Sequence, residues 1–284
     1  MNRETEGIEV SIRHGQGTDR GLKREINEDS LFVSDGLFAV ADGMGGHAAG
    51  EVASHLCVET LATGYRKAAG RLDAEAINTL LRTAGEAIAA SAPRGAGTTV
   101  SGAAVIKRDS SLHWLVFNVG DSRTYRLSNG LLEQVTVDHS EVQQLVERGV
   151  IGTEQMATHP RRHVITRALS AGGDSRVDFW LLPIQPGDRL LICSDGLSTE
   201  LADESLRDII TRFPDPQQAA DELIAAALSR GGRDNISVVI VDAVGRDVEE
   251  MIDTVPRSIR PAKNSKTQSI AVVSGAMTPM EEQS

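Results

Sequence analysis

Residues 189–199 read Arg-Leu-Leu-Ile-Cys-Ser-Asp-Gly-Leu-Ser-Thr, and the fold turns on how they are read. The apolar run 190–193 predicts a buried strand, and it ends on Asp195-Gly196. The same pattern stands earlier, where the apolar run 37–41 ends on Asp42-Gly43. It returns reversed near the end, where Asp234-Asn235 precedes the run 236–241. In an antiparallel sheet the C-terminal end of one strand shares an edge with the N-terminal end of its neighbour. Two aspartates after strands and one before a strand can therefore meet at a single edge. Crowded carboxylates repel unless a cation lies between them, and oxygen-only clusters suit Mg²⁺ or Mn²⁺.

Asp-Gly is also ordinary turn chemistry, and each pair taken alone reads that way. The flank of Asp42-Gly43 argues otherwise, because Met44-Gly45-Gly46-His47-Ala48-Ala49-Gly50-Glu51 follows and then a helical pattern. A hairpin does not need so much glycine; a backbone that must approach a metal or a phosphate does. Upstream, strands at 31–33 and 37–41 flank the turn Asp35-Gly36. That hairpin carries Asp29 to the start of one strand and Asp42 to the end of the next, at one edge.

The bulk properties narrow the function. A chain of 284 residues can bury a sizeable core as one large or two small domains. Its 40% hydrophobic content includes only 3% aromatics, so Ala, Val, Leu and Ile must build that core. The net charge of −11, from 29 basic and 40 acidic residues, argues against nucleic acid or an anionic membrane as the main partner. Cys57 and Cys193 stand far apart among apolar neighbours, which predicts buried, reduced thiols and a cytoplasmic protein. Residues 1–10 do not read as a signal peptide, and no run approaches the length of a membrane span.

Further along, apolar spacing predicts helices over 48–69 and from a cap at Asp73 to about 90, broken by Pro93. Strands are expected at 98–106, 112–119, 123–127 and near Val135, with Gly120-Asp121-Ser122 turning between the second and third. Asp138-His139-Ser140 predicts a helix start. Residues 149–164 have no clear period and read as a flap, taken as about 141–170. Strands at 177–182 and 189–193 surround Pro186-Gly187-Asp188, and helices at 206–213 and 217–228 precede the last strand. From 245 to 284 the composition predicts a disordered tail after a single domain at 8–244. Runs of strands interrupted by pairs of helices predict two packed sheets with helices outside.

Six segments in order then carry a resemblance. They are Arg24-Glu25-Ile26-Asn27-Glu28-Asp29-Ser30, Ala41-Asp42-Gly43-Met44-Gly45-Gly46-His47, Gly97-Thr98-Thr99, Asn118-Val119-Gly120-Asp121-Ser122-Arg123, Cys193-Ser194-Asp195-Gly196-Leu197 and Gly232-Arg233-Asp234-Asn235. Together they resemble the metal-dependent serine/threonine protein phosphatases of type 2C in their compact bacterial form, over about 8–244. The resemblance implies an α+β fold, a four-layer α-β-β-α sandwich with two central, mainly antiparallel sheets and a two-metal site at one edge. It implies direct metal contacts from Asp42, Asp195 and Asp234 and from the carbonyl of Gly43. Asp29 would hold metal-bound water with Glu28 beside it, Asn235 would support the cluster, and Arg24 would grip the substrate phosphate.

The implied reaction is attack on phosphorus by a water that two Mn²⁺ or Mg²⁺ ions activate. Neither cysteine lies in a phosphate-cradling loop, so no covalent phosphoenzyme is expected. His47 is the candidate proton donor to the leaving oxygen, although a first-turn helix residue is its other reading. Many relatives carry an aspartate four residues after the Asp195 position, where it helps the Asp121 counterpart bind a third ion. Thr199 stands there in this chain, which implies that a third ion is weakly held. The implied partners are phosphorylated proteins and a Ser/Thr protein kinase whose work is reversed, and the expected state is a cytoplasmic monomer. A catalytically idle binding module is the competing reading, and a hydrolase of small phosphoesters a third. The binding module is disfavoured because Arg24, Asp29, Asp42, Asp195 and Asp234 are all present.

Overall fold

The computed structural model describes residues 9–45, 49–91, 95–170 and 175–246. The first half runs β1 (Glu9–Asp19), β2 (Asp29–Val33), β3 (Leu37–Met44), α1 (Ala49–Lys67), α2 (Ala74–Ser91), β4 (Gly97–Thr98), β5 (Val100–Arg108) and β6 (Ser111–Val119). Next come β7 (Arg123–Ser128), β8 (Leu131–Gln134), α3 (Glu141–Glu147), a 3₁₀ turn at Thr153–Thr158 and β9 (Leu169–Ser170). The chain closes with β10 (Asp178–Pro183), β11 (Arg189–Cys193), α4 (Asp195–Glu200), α5 (Asp203–Arg212), α6 (Pro216–Arg230) and β12 (Ile236–Arg246).

Alternation along each strand decides the layers. In β3, Leu37, Ala39 and Ala41 pack with Leu61, Ile77 and Leu81 of α1 and α2, while Phe38 and Val40 point the other way. In β11, Leu191 and Cys193 pack against Leu206 and Leu223 of α5 and α6, while Leu190 and Ile192 turn inward. The inward sets meet one another, with Trp114, Val239 and Val241, as the layer between the sheets. Strand side chains repeat every two residues, so one sequence supplies both faces of each sheet. The result is the α-β-β-α sandwich, with one sheet ordered β1-β12-β11-β7-β8 and the other β10-β6-β5-β3-β4-β9, β2 also pairing with β3. The strand pairings are antiparallel.

Several local expectations are corrected. The segments at 177–182 and 189–193 do not pair with each other: β10 joins β6, and β11 joins β7 and β12. Residues 184–188 thus carry the chain from one sheet to the other. Asp195-Gly196 opens the short helix α4 rather than a simple turn. The strand expected near Val135 lies at Leu131–Gln134. Of the expected helix start Asp138-His139-Ser140, Ser140 is the residue that caps α3, accepting from the Gln143 N–H at 3.3 Å. Within the expected flap, Leu169–Ser170 is a strand paired with β4, so its far end belongs to the sheet. At the C-terminus β12 extends through Gly245 and Arg246, and the rest of the expected tail lies outside the described residues.

Helix α6 rests on β1 at unusually short range. A Cβ on Gly15 would come within 2.3 Å of the backbone of Pro216 and Gln217. Gln217 locks the contact, accepting from the Gln16 N–H at 3.1 Å and donating to its carbonyl at 2.8 Å. Gly15→Ala therefore forces the helix off the sheet and should cost about 1–3 kcal/mol in urea denaturation. Gly85→Ala, in α2 with nothing within 4 Å of the added carbon, should instead stabilise by about 0.5–1 kcal/mol.

Candidate active site

The acidic residues gather at one end of the sandwich because of strand register. Asp29 and Asp42 are direct partners across β2 and β3. Asp195 follows β11, Asp234 precedes β12, and Cys193 pairs with Val238, so these two also share an end. Asp121, in the turn between β6 and β7, adds a fifth carboxylate that faces Asp195 and Asp42.

Backbone contacts hold this geometry. Thr99 N–H and the Thr98 hydroxyl both donate to the Asp42 carbonyl at 2.9 Å, and Asp42 N–H donates to Thr99 Oγ1 at 3.3 Å. A Cβ on Gly43 would lie 2.1 Å from the Gly50 carbonyl oxygen and 2.6 Å from that of Glu28. Only glycine allows the start of α1 and the Glu28 strand entry to close on this turn. Asn235 clamps the loop before β2: it donates through Nδ2 to the carbonyls of Arg20 (2.9 Å) and Ile26 (3.0 Å) and accepts from the Glu28 N–H at 2.9 Å. Ser194, which the sequence motifs included without a role, donates to Asp29 Oδ2 at 2.8 Å.

Electrostatics mark the cluster as unbalanced. Burial, and then the charges of Asp195 and Asp234, outweigh the Ser237 and Ser194 hydrogen bonds and push Asp29 up to about 7. Asp42 is held well above the usual carboxylate range by burial and by Asp29, Asp195, Asp121 and Asp234. Burial and Asp195 do the same to Asp121, and burial and Asp234 raise Asp195. Glu28 Oε1, Asp29 Oδ1 and Asp121 Oδ1 are buried without a hydrogen-bond partner. Arg24, half-exposed on the rim, donates to Asp234 Oδ2 at 2.7 Å. Burial opposes its charge, but Asp234, Glu28 and Asp42 raise its pKa on balance.

This donor set fits a hard divalent cation by its chemistry, since it offers crowded carboxylates with unpartnered buried oxygens. Among the described residues no group of three or more His, Cys, Asp or Glu side chains is already arranged to hold one metal ion. Asp234 is instead engaged by Arg24 and by the Asn235 N–H. His47 lies outside the described residues. The exposed His163 lines a cleft of about 340 Å³ with Asp121, Asp195 and Thr199, facing them from the 141–168 excursion together with Met156 and Arg162.

Comparison with known proteins agrees with this architecture. Residues 16–230 match the family described as Protein phosphatase 2C. The chain belongs to that family. It is 39% identical over 246 residues to the serine/threonine protein phosphatase PstP of Mycobacterium tuberculosis, which covers 84% of this chain and 46% of that protein. The chain thus spans about half the length of that mycobacterial relative. It is 38% identical over 239 residues to the serine/threonine phosphatase Stp of Listeria welshimeri, covering 79% of this chain and 93% of that one. The crystal structure of the M. tuberculosis phosphatase PstP/Ppp superposes with a TM-score of 0.76 at 38% identity, over 82% of this chain and 99% of that chain. A PstP catalytic domain in complex with two manganese ions gives 0.73 at 36%, over 83% of this chain and 100% of that chain. No helix among the described residues is long and apolar enough to cross a membrane. Cys57 and Cys193 are buried, and burial pushes both thiols up to about 12.

A carboxylate whose folded pKa is raised takes up a proton on folding, so its stabilising effect is complete below about pH 4. For Asp29 that contribution is lost as pH rises through about 7. Chelator-treated protein should therefore lose thermal stability between pH 4 and pH 7, and Mn²⁺ should restore more of it at pH 7.5 than at pH 5. Asp42→Asn should raise the chelated protein's Tm at pH 7.5 by roughly 2–8 °C, as for a gain of about 1–2 kcal/mol, and should lose most of the Mn²⁺ response. A Tm in chelator that climbs over this range would contradict the cluster's electrostatics.

Proposed function

We propose that this protein phosphatase 2C member hydrolyses phosphoserine and phosphothreonine in proteins at a two-metal site formed by Asp42, Gly43, Asp195 and Asp234. The observation that carries the reading is the convergence of Asp29, Asp42, Asp121, Asp195 and Asp234 on one end of the sandwich beside Arg24. Two Mn²⁺ or Mg²⁺ ions, when bound, supply a water acidic enough to attack at neutral pH and offset charge on the phosphoryl oxygens.

The chain's own groups do the rest. Arg24 donates its guanidinium N–H groups to the phosphate, a charge-assisted contact that strengthens as charge builds on the equatorial oxygens. Asp29, oriented by the Ser194 hydroxyl, positions water on the side of the phosphate away from the leaving oxygen. Glu28 and Asn235 hold this arrangement from behind, Glu28 through its carbonyl bond to the Gly43 N–H at 3.2 Å. The manganese-bound PstP relative and the phosphatase names of the relatives support the assignment. We place the protein in the cytoplasm as a monomer that reverses the action of a Ser/Thr protein kinase. The acidic balance and the two buried thiols support that placement.

Mn²⁺-dependent release of phosphate from a phosphothreonine peptide should fall at least 1,000-fold in Asp195→Ala, on the order of 4 kcal/mol. Arg24→Ala should cost about 10–100-fold in kcat/KM, the scale of one hydrogen bond to a charged group. A wild-type protein inert towards both the peptide and an aryl phosphate in Mn²⁺ would sink the reading in favour of a binding module. Efficient hydrolysis of small phosphoesters alone would favour the third.

Thr199, exposed one helical turn after Asp195 and lining the cleft with Asp121, supplies no carboxylate for a third ion. A third ion should accordingly saturate only at high Mn²⁺, and Thr199→Asp should lower the Mn²⁺ concentration for half-maximal activity by about tenfold. A tight third site in the wild type that disappears in Asp121→Ala would refute this.

A further inference from the structure

His139 sits where three otherwise separate parts of the chain meet. Its backbone N–H donates to the Gly120 carbonyl at 2.9 Å, and its own carbonyl accepts from the Thr166 N–H at 2.7 Å. Its ring Nδ1 faces the Gly120 N–H at 3.1 Å, and its Nε2 lies 3.0 Å from Asp178 Oδ2 and 3.1 Å from Arg167 Nη1. Asp178, on the edge strand β10, accepts from Arg167 through its other oxygen at 2.9 Å. The imidazole is buried.

Geometry fixes the tautomer. The Gly120 N–H can only donate, so Nδ1 must be the acceptor, and in a neutral ring Nε2 then carries the proton. That proton goes to Asp178, and the Arg167 guanidinium beside it is held by Asp178 rather than by the ring. Burial keeps the ring's pKa below the usual imidazole value, which agrees with a neutral ring. No side chain fits at Gly120, because its φ is +108° and a Cβ there would lie 2.5 Å from Thr99. Thr99 is the residue that holds the Asp42 backbone. Gly120 immediately precedes Asp121, while Thr166 and Arg167 form the returning leg of the 141–168 excursion that carries Arg162 and His163.

We propose that His139 is a positioning residue that ties the Gly120-Asp121 turn to the base of the excursion, so that the two walls of the cleft keep a fixed separation. One ring nitrogen sets the turn and the other sets the returning leg through Asp178. The inference rests on the phosphatase reading only for its kinetic arm.

Three variants separate the two links. In His139→Asn the amide oxygen stands near the Nδ1 position and keeps the Gly120 bond but does not reach Asp178. In His139→Gln the amide nitrogen reaches Asp178 but nothing accepts from Gly120. Asp178→Ala removes the outer link and leaves the imidazole in place. Hydrogen exchange of the full chain should show amides of 141–167 about tenfold faster in His139→Asn and Asp178→Ala, with 120–122 unchanged. His139→Gln should reverse that pattern. In parallel, His139→Gln should raise the Mn²⁺ concentration for half-maximal hydrolysis of an aryl phosphate about tenfold. Asp178→Ala should raise KM for a phosphothreonine peptide about tenfold with kcat nearly constant.

Exchange that is unchanged in all three variants, or faster uniformly across both sheets, overturns the proposal. Should either His139 variant fail to fold, Asp178→Ala alone decides the outer link by its exchange in 141–167. If the wild type proves inert towards phosphoesters, the exchange pattern still supports or overturns the linkage while the phosphatase reading falls by itself.

Discussion

Mutual repulsion among Asp29, Asp42, Asp121, Asp195 and Asp234 is the constraint to which the rest of this structure answers. Two like charges about 4 Å apart cost on the order of 4 kcal/mol even at an effective dielectric of about 20. A folded domain is stable by only about 5–15 kcal/mol in total. A few such pairs therefore rival the stability of the whole molecule, and protons or cations must share the site. The sandwich withstands the strain because each acid is anchored by its backbone. Thr98 and Thr99 hold Asp42, the Asn235 clamp secures the entry to Asp29, and β11 and β12 fix Asp195 and Asp234 through their shared register.

Arg24 adds a local remedy to a molecule whose net charge is −11. It neutralises part of Asp234 and stays half-exposed at the rim. Electrostatic focusing by such a cation acts on encounter and orientation. The position of Arg24 follows from the Asn235 bonds to Arg20 and Ile26, which fold its loop back against the start of β12.

How much of this was legible beforehand depends on the range of the interaction. The alternating runs at 37–41, 190–193 and 236–241 are local patterns, and they located the strands and the converging ends of Asp42, Asp195 and Asp234. The helix caps at Asp73 and Ser140 are equally local. The Thr99 bond to Asp42 spans 57 residues, so the motif could be quoted but its role could not be read. Helix α4 was missed because six residues opening on Asp-Gly show too little periodicity to compete with turn chemistry. The separation of β10 and β11 into different sheets was hidden because Pro186-Gly187 looks the same in a hairpin and in a crossover. His139 lay inside a stretch read as a helix start, and its ring partners come from 19 and 39 residues away.

Strands β1 and β12 are antiparallel partners from Asp19 opposite Ile236 to Glu9 opposite Arg246. Eleven residues of strand span about 35 Å, so Glu9 and Arg246 adjoin each other at the pole remote from the carboxylates. In a chain cut back to residues 9–246, a short peptide bridge between those neighbours would permit circular permutation. The chain could then be reopened in a surface loop, with every acid left in place.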